Sequence, residues 1–175
     1  MRTRAAILEA LLALVRAGAI NPTAAEIARE AGVSLRSIGQ HFPTRGDLYG
    51  AAAALYQARP DSPEPDAALP LPARLDAFVP VRAKELEASR PMRASAAQFA
   101  PEFPIVAAAI SGNAARRRAQ VARVFATEIG DHPDRLELFD LALGGPVWDA
   151  LRGRGVTLAR AQALVRRMVE AVAAV

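Results

Sequence analysis

Residues 23–48 hold the side chains whose order could do chemistry. Thr23 is placed to open a helix over Ala24 to Ala31, and Gly32 ends it. Ser34 then caps a second short helix, Leu35 to about His41. The turn between them, Ala31-Gly32-Val33-Ser34, needs a residue tolerant of positive φ, and Gly32 supplies it. Ala28 is small where the two helices would cross, and Ile27, Ala31, Val33, Ile38 and Phe42 make a shared apolar seam. That is the geometry of a helix-turn-helix, whose second helix can enter a major groove. Its outward face then shows Leu35, Arg36, Ser37, Gln40 and His41. Arginine can contact guanine and glutamine adenine, each through two hydrogen bonds, and leucine can touch a thymine methyl.

Other chemistries find little support. The chain has no cysteine and only two histidines, His41 and His132, which excludes disulfides, thiolate catalysis and a multi-histidine metal cage. No metal site and no cofactor is expected. His41 has no serine or paired carboxylate suggested near it, so it reads as an interfacial or capping residue, and the chain does not read as an enzyme. His132, between Asp131 and Pro133, reads as a helix-start residue. Arg116, Arg117 and Arg118 point in different directions on a helix and read as a solvated face. Asp61, Glu64 and Asp66 lack metal-loop spacing and also read as solvated.

The elements that must position these groups are helical. Alanine supplies 41 of 175 residues, 52% of the chain is hydrophobic and only 5% aromatic. That suits helices and disfavours a sandwich or barrel. The net charge is +4, and one lysine, Lys84, among 22 basic residues leaves 21 arginines. Arginine suits planar, bidentate contacts, and biased base composition in the coding DNA explains the choice equally well. A first helix is expected from about Thr3 to Ala17, carrying Ile7, Leu11 and Val15 and stopped by Gly18. Thr44 caps a fourth helix, with Asp47 completing a reciprocal cap and Leu48, Ala52 and Leu55 facing inward.

Five prolines between residues 59 and 72 mark a linker. Three segments follow: domain 1–58, linker 59–72 and a helical domain 73–175. In the last, residues 73–89 should form a helix kinked at Pro80, and Pro91 should restart a short one through Phe99. Pro104 should open a helix to about Ile129, broken near Ser111-Gly112-Asn113, and Pro133 one to about Leu143. Thr157 should cap the last helix.

Residues 4–48 resemble the N-terminal domain of TetR-family transcriptional regulators. The matching string runs from Thr23 through Glu26-Ile27-Ala28, Ala31-Gly32-Val33-Ser34, His41-Phe42 and Arg45 to Leu48. The resemblance implies an all-α fold: a three-helix helix-turn-helix DNA-binding domain followed by a helical ligand-binding and dimerisation domain. It places Thr23 and Arg45 at positions that touch phosphate, which helix N-termini favour in any case. With the caps Ser34 and Thr44 and the outward face of the second helix, they complete the expected DNA-facing set. One departure is Gly39, where the family commonly has a tyrosine that packs on the DNA backbone. Either Gln40 and Arg36 carry more of the contact, or DNA affinity is modest. Residues 1–58 hold six arginines and four acids, a net +2.

Phe78, Met92, Phe99, Phe103, Phe125 and Trp148 are either ordinary core or the wall of an effector pocket, with a lean toward a hydrophobic small molecule. Leu136, Phe139 and Leu143, then Leu164, Val165, Met168 and Val172, make apolar faces too wide for one helical layer, so they are expected at a homodimer interface. A two-fold dimer would present two recognition helices to a palindromic DNA operator. With no run of 18 apolar residues and no signal-peptide layout, no membrane association is expected and the chain reads as cytoplasmic. The expected function is a ligand-responsive repressor; the alternative is a ligand- or partner-binding module without DNA binding.

Overall fold

A computed structural model describes residues 2–174; Met1 and Val175, the outer limits of the two expected domains, lie outside the described residues. Those residues form helices and no strand. The helices are α1 (Arg2–Arg16), α2 (Ala24–Ala31), α3 (Leu35–His41), α4 (Arg45–Gln57), α5 (Leu71–Phe99), α6 (Pro104–Val124), α7 (Ala126–Ile129), α8 (Pro133–Ala142), α9 (Gly145–Gly153) and α10 (Leu158–Ala173). No helix among the described residues is long and apolar enough to cross a membrane.

The chain divides into two compact units. Unit 1 takes the described residues up to Pro60 together with Pro91–Asn113; unit 2 takes Asp61–Arg90 and the described chain from Ala114 onward. The first division falls inside the proline-rich stretch, but residues 91–113, assigned by the sequence to the second domain, belong with unit 1.

In unit 1, α1 buries Ile7, Leu8, Leu11, Leu12 and Val15 against Ile27 and Ala28 of α2, Ile38 and Phe42 around α3, and Leu48, Tyr49 and Ala52 of α4. Phe99 and Val106 complete this core. Each large apolar side chain removed from water contributes about 1.5–3 kcal/mol before entropy is counted. In unit 2, Leu75, Phe78, Val79 and Leu86 of α5 pack with Val121, Val124 and Phe125, with Phe139 and Leu143, and with Trp148, Val165 and Val169. Phe125 meets Phe78 edge-to-face at 5.4 Å and Phe139 at 5.3 Å.

Three expected boundaries differ from those observed. The helix through Pro80 does not end before Pro91: α5 is one element of 29 residues. Each interior proline removes a backbone bond, at a cost of about 3 kcal/mol. Leu75, Phe78, Val79 and Leu86 bury one face of the helix in the core of unit 2, and Phe99 at its far end is buried in the core of unit 1; this burial outweighs that loss. α6 continues through Ser111-Gly112-Asn113. There Gly112 allows close approach: a Cβ would stand 3.2 Å from Gln57 Nε2, which donates to Ala109 O at 2.9 Å. Finally, α6 stops at Val124, five residues early. The buried Arg74 guanidinium donates to the Val124 carbonyl at 2.6 Å, and Phe125 leaves helical geometry with φ −114° and ψ 26°.

Candidate nucleic-acid interface

α2 and α3 are two short helices joined by a tight turn. Thr23 caps α2 by accepting from Glu26 N at 3.2 Å, while the Glu26 carboxylate accepts from Thr23 N at 2.7 Å. The same hydrogen bonds hold the Glu26 carboxyl below the usual carboxylate range. Gly32 leaves α2 in the left-handed region at φ 63°, where a side chain would be strained. Ser34 caps α3 by accepting from Ser37 N at 3.1 Å, and the two hydroxyls bond each other at 2.9 Å. Ile38 and Phe42 are buried, while Ala31 and Val33 are partly so, which forms the expected seam.

That packing decides which side chains of α3 look outward. Leu35 is 58% exposed, unusual for a residue of its size. Arg36, Gln40 and His41 are exposed, and Ser37 is half-buried through its cap. Gly39 lies among them with open space where a Cβ would be. At the next helix start, Thr44 and Asp47 form the reciprocal cap expected from their spacing. Thr23, Ser34, Thr44 and Arg45 are all exposed. All nine expected DNA-facing residues therefore lie in α3 or at the starts of α2, α3 and α4.

Two features at this face have no local sequence signal. Arg45 donates to Asn21 Oδ1 at 2.6 Å and lies 5.2 Å from the Phe99 ring centre and 5.7 Å from that of Tyr49. It is fixed in direction, with most of its five donors still uncommitted. Burial pushes the Tyr49 phenol up, and the Arg45 guanidinium pulls it back. Arg4 lies over the Phe42 ring at 4.9 Å and so adds a cation beside the end of α3. Both arrangements join residues far apart in the chain.

The six residues read as either ordinary core or an effector wall pack in two cores, three in each. Met92, Phe99 and Phe103 belong to the core of unit 1, with Tyr49 and Phe99 ring centres 4.1 Å apart. Phe78, Phe125 and Trp148 belong to the core of unit 2.

The apolar faces of α8 and α10 also need correction. Phe139, Leu143 and Val165 are buried in unit 2's own core, and Leu136 and Val172 pack against it. Phe139, Leu143 and Val165 are not free to meet a second copy, because the unit's own layers already cover them, whereas Leu136 and Val172 stay partly exposed. Leu164 is half-buried and Met168 is exposed, as are Leu138 and Leu141, which the sequence reading passed over. A cleft of about 440 Å³ lies between α8 and α10, lined by Leu138, Ala171 and Val172 together with His132, Asp134 and Arg135.

Asp61, Glu64 and Asp66 are exposed, as expected, and surface ion pairs engage two of them. Arg116 pairs with Asp61 at 3.0 Å, Arg118 with Glu137 at 2.5 Å, and Arg123 with Glu64 at 2.5 Å. The Arg123 guanidinium holds the Glu64 carboxyl below its ordinary range. No group of three or more histidine, aspartate or glutamate residues placed to hold a metal occurs among the described residues. No family model matches the chain, and no curated protein matches it.

Proposed function

We propose that the chain is a DNA-binding transcriptional regulator of the TetR kind, a homodimeric repressor released by a small-molecule effector. The single observation that carries this reading is the outward face of α3. A seven-residue helix, capped by Ser34 and packed by Ile38 and Phe42, presents Leu35, Arg36, Gln40 and His41 to solvent. A fixed guanidinium, Arg45, stands at the next helix start. Side chains able to read bases on an exposed helix face, flanked by helix N-termini and arginines, suit duplex DNA.

The homodimer rests on Leu138, Leu141 and Met168, large apolar side chains left exposed on α8 and α10. A pair of copies related by two-fold symmetry would cover them and set two α3 helices about 34–36 Å apart. Effector binding in unit 2 need favour one spacing over another by only about 1–3 kcal/mol to release the operator.

Selection from a random duplex library at two salt concentrations tests the reading. A palindrome should be enriched, and its complex should be tighter at low salt. Arg36→Ala or Gln40→Ala should relax sequence preference, while Arg45→Ala should weaken binding to every sequence and flatten the salt slope by about one unit. No enrichment at either salt would leave a ligand-binding module without DNA.

A further inference from the structure

Unit 2 buries two arginines and treats them differently. Arg74 donates to two carbonyls, Leu69 O at 2.8 Å and Val124 O at 2.6 Å, and pairs with Glu128. Arg82, only 3% exposed, is far less well matched. Its Nη2 donates to Gln120 Oε1 at 2.5 Å, its Nη1 stands 3.8 Å from Glu85, and its Nε–H is buried without a partner. The Phe78 ring lies 4.9 Å away and forms an apolar wall. The other charges acting on it are Arg117 of α6, Asp140 of α8, and Asp61 and Glu64 of the proline-rich segment. A buried guanidinium with an unpaired Nε–H is a poor structural element and, once the segment covering it moves, a good receptor for a planar oxyanion.

The segment beside this pair is held by side chains. Gln120 Nε2 donates to Ser62 O at 3.3 Å, while Arg116 and Arg123 grip Asp61 and Glu64. Residues 116, 120 and 123 fall in one stripe along α6. Prolines 63, 65 and 70 keep the segment out of regular backbone pairing. Both ion pairs are solvent-accessible, so they are weak latches and are screened by salt.

We propose that Arg82 and Gln120 form the head-group site for an effector bearing a carboxylate, and that residues 61–69 are the strap that lifts to admit it. The carboxylate would accept from Arg82 Nε and Nη2 in a fork, and Gln120 would turn to donate its amide nitrogen. This rests on the reading of unit 2 as the effector-binding part, and it replaces a purely hydrophobic effector by an anionic one.

The probes are sodium salts of straight-chain carboxylates from acetate to dodecanoate, each set against the matching alcohol. The readout is the Tm of the full-length protein. At about 100 times its Kd, one or more carboxylates should raise Tm by about 5–10 °C, and its alcohol should not. Arg82→Met should fold with an equal or higher Tm and lose the shift. Arg82→Lys, which keeps the charge but not the fork, should weaken binding about tenfold. The pair Arg116→Gln and Arg123→Gln should tighten binding several-fold by freeing the strap. Equal shifts by carboxylate and alcohol, no shift along the whole series, or a shift retained in Arg82→Met would overturn the site. If Arg82→Met does not fold, the Arg82→Lys titration decides. Duplex selection without any carboxylate runs separately, so failure of the regulator reading shows there and not here.

Discussion

Arg36 and Arg82 mark the contrast between the two units. Unit 1 caps the helices of its candidate interface locally: Thr23 with Glu26, Ser34 with Ser37, Thr44 with Asp47, each three residues apart. What remains, Arg36 among it, faces water. Unit 2 ties several of its buried and half-buried polar groups at long range. Arg74 reaches Val124 across 50 positions, and Glu87 meets Trp148 across 61 and Arg152 across 65. Local caps leave side chains free to meet something outside the chain. Long-range networks consume side chains to hold helices together, and a group such as Arg82 Nε that escapes the network stands out for that reason.

The contrast can be broken or sharpened in four ways. The largest effect belongs to Phe139→Ala, which should cost about 3–5 kcal/mol by urea denaturation, because Phe139 is fully buried in its own unit. Leu138→Asp, on the exposed face, should leave the fold intact and instead dissociate the proposed dimer in sedimentation; the reverse result would mean that the two residues trade roles. Next is Gly50→Ala in unit 1. Its Cβ would lie 2.9 Å from Ile105 side-chain atoms, so a loss of about 1–3 kcal/mol is expected, largely restored by Ile105→Ala in the same chain. Gly39→Ala should do the opposite: nothing crowds that Cβ, and α3 should gain about 1 kcal/mol, read as a higher Tm.

The smallest expected effect is on pH dependence. The Arg152 guanidinium, with the Trp148 indole, holds the Glu87 carboxyl below the usual carboxylate range. A group whose pKa is lowered by folding stabilises the fold above its unfolded pKa, and that stability disappears as pH falls through the folded value. Stability should therefore decline on the acid side, below about pH 4.5. Glu87→Gln should make that decline shallower in Tm measured from about pH 7 to about pH 3. An unchanged acid limb would show that the long-range network contributes nothing through charge.

The same contrast explains what was legible in the sequence. The caps Thr23, Ser34, Thr44 and Thr157, the turn at Gly32 and the stripe on α1 depend on neighbours within a turn, so spacing revealed them. The outward face of α3 followed from the seam that Ile38 and Phe42 bury. The continuity of α5 through Pro80 and Pro91 was not legible, because tertiary packing outweighs a local penalty that the sequence shows alone. Phe139 and Val165 looked like a seam for a second copy, since apolarity does not say which layer covers it. Asp61 and Glu64 are exposed as read, but their ion pairs were not legible, because the partners lie more than fifty positions away.

Trp148 has a consequence beyond packing. It is the only tryptophan in the chain and sits in unit 2, whereas both tyrosines, Tyr49 and Tyr56, sit in unit 1. Excited where tyrosine does not absorb, the fluorescence of the chain reports on unit 2 alone. The indole, buried and hydrogen-bonded to Glu87, should shift to longer wavelength when that environment opens. Far-ultraviolet dichroism counts the helices of both units. If the two signals change together on unfolding, the units melt as one; if the indole moves at a different denaturant concentration, each has a stability of its own.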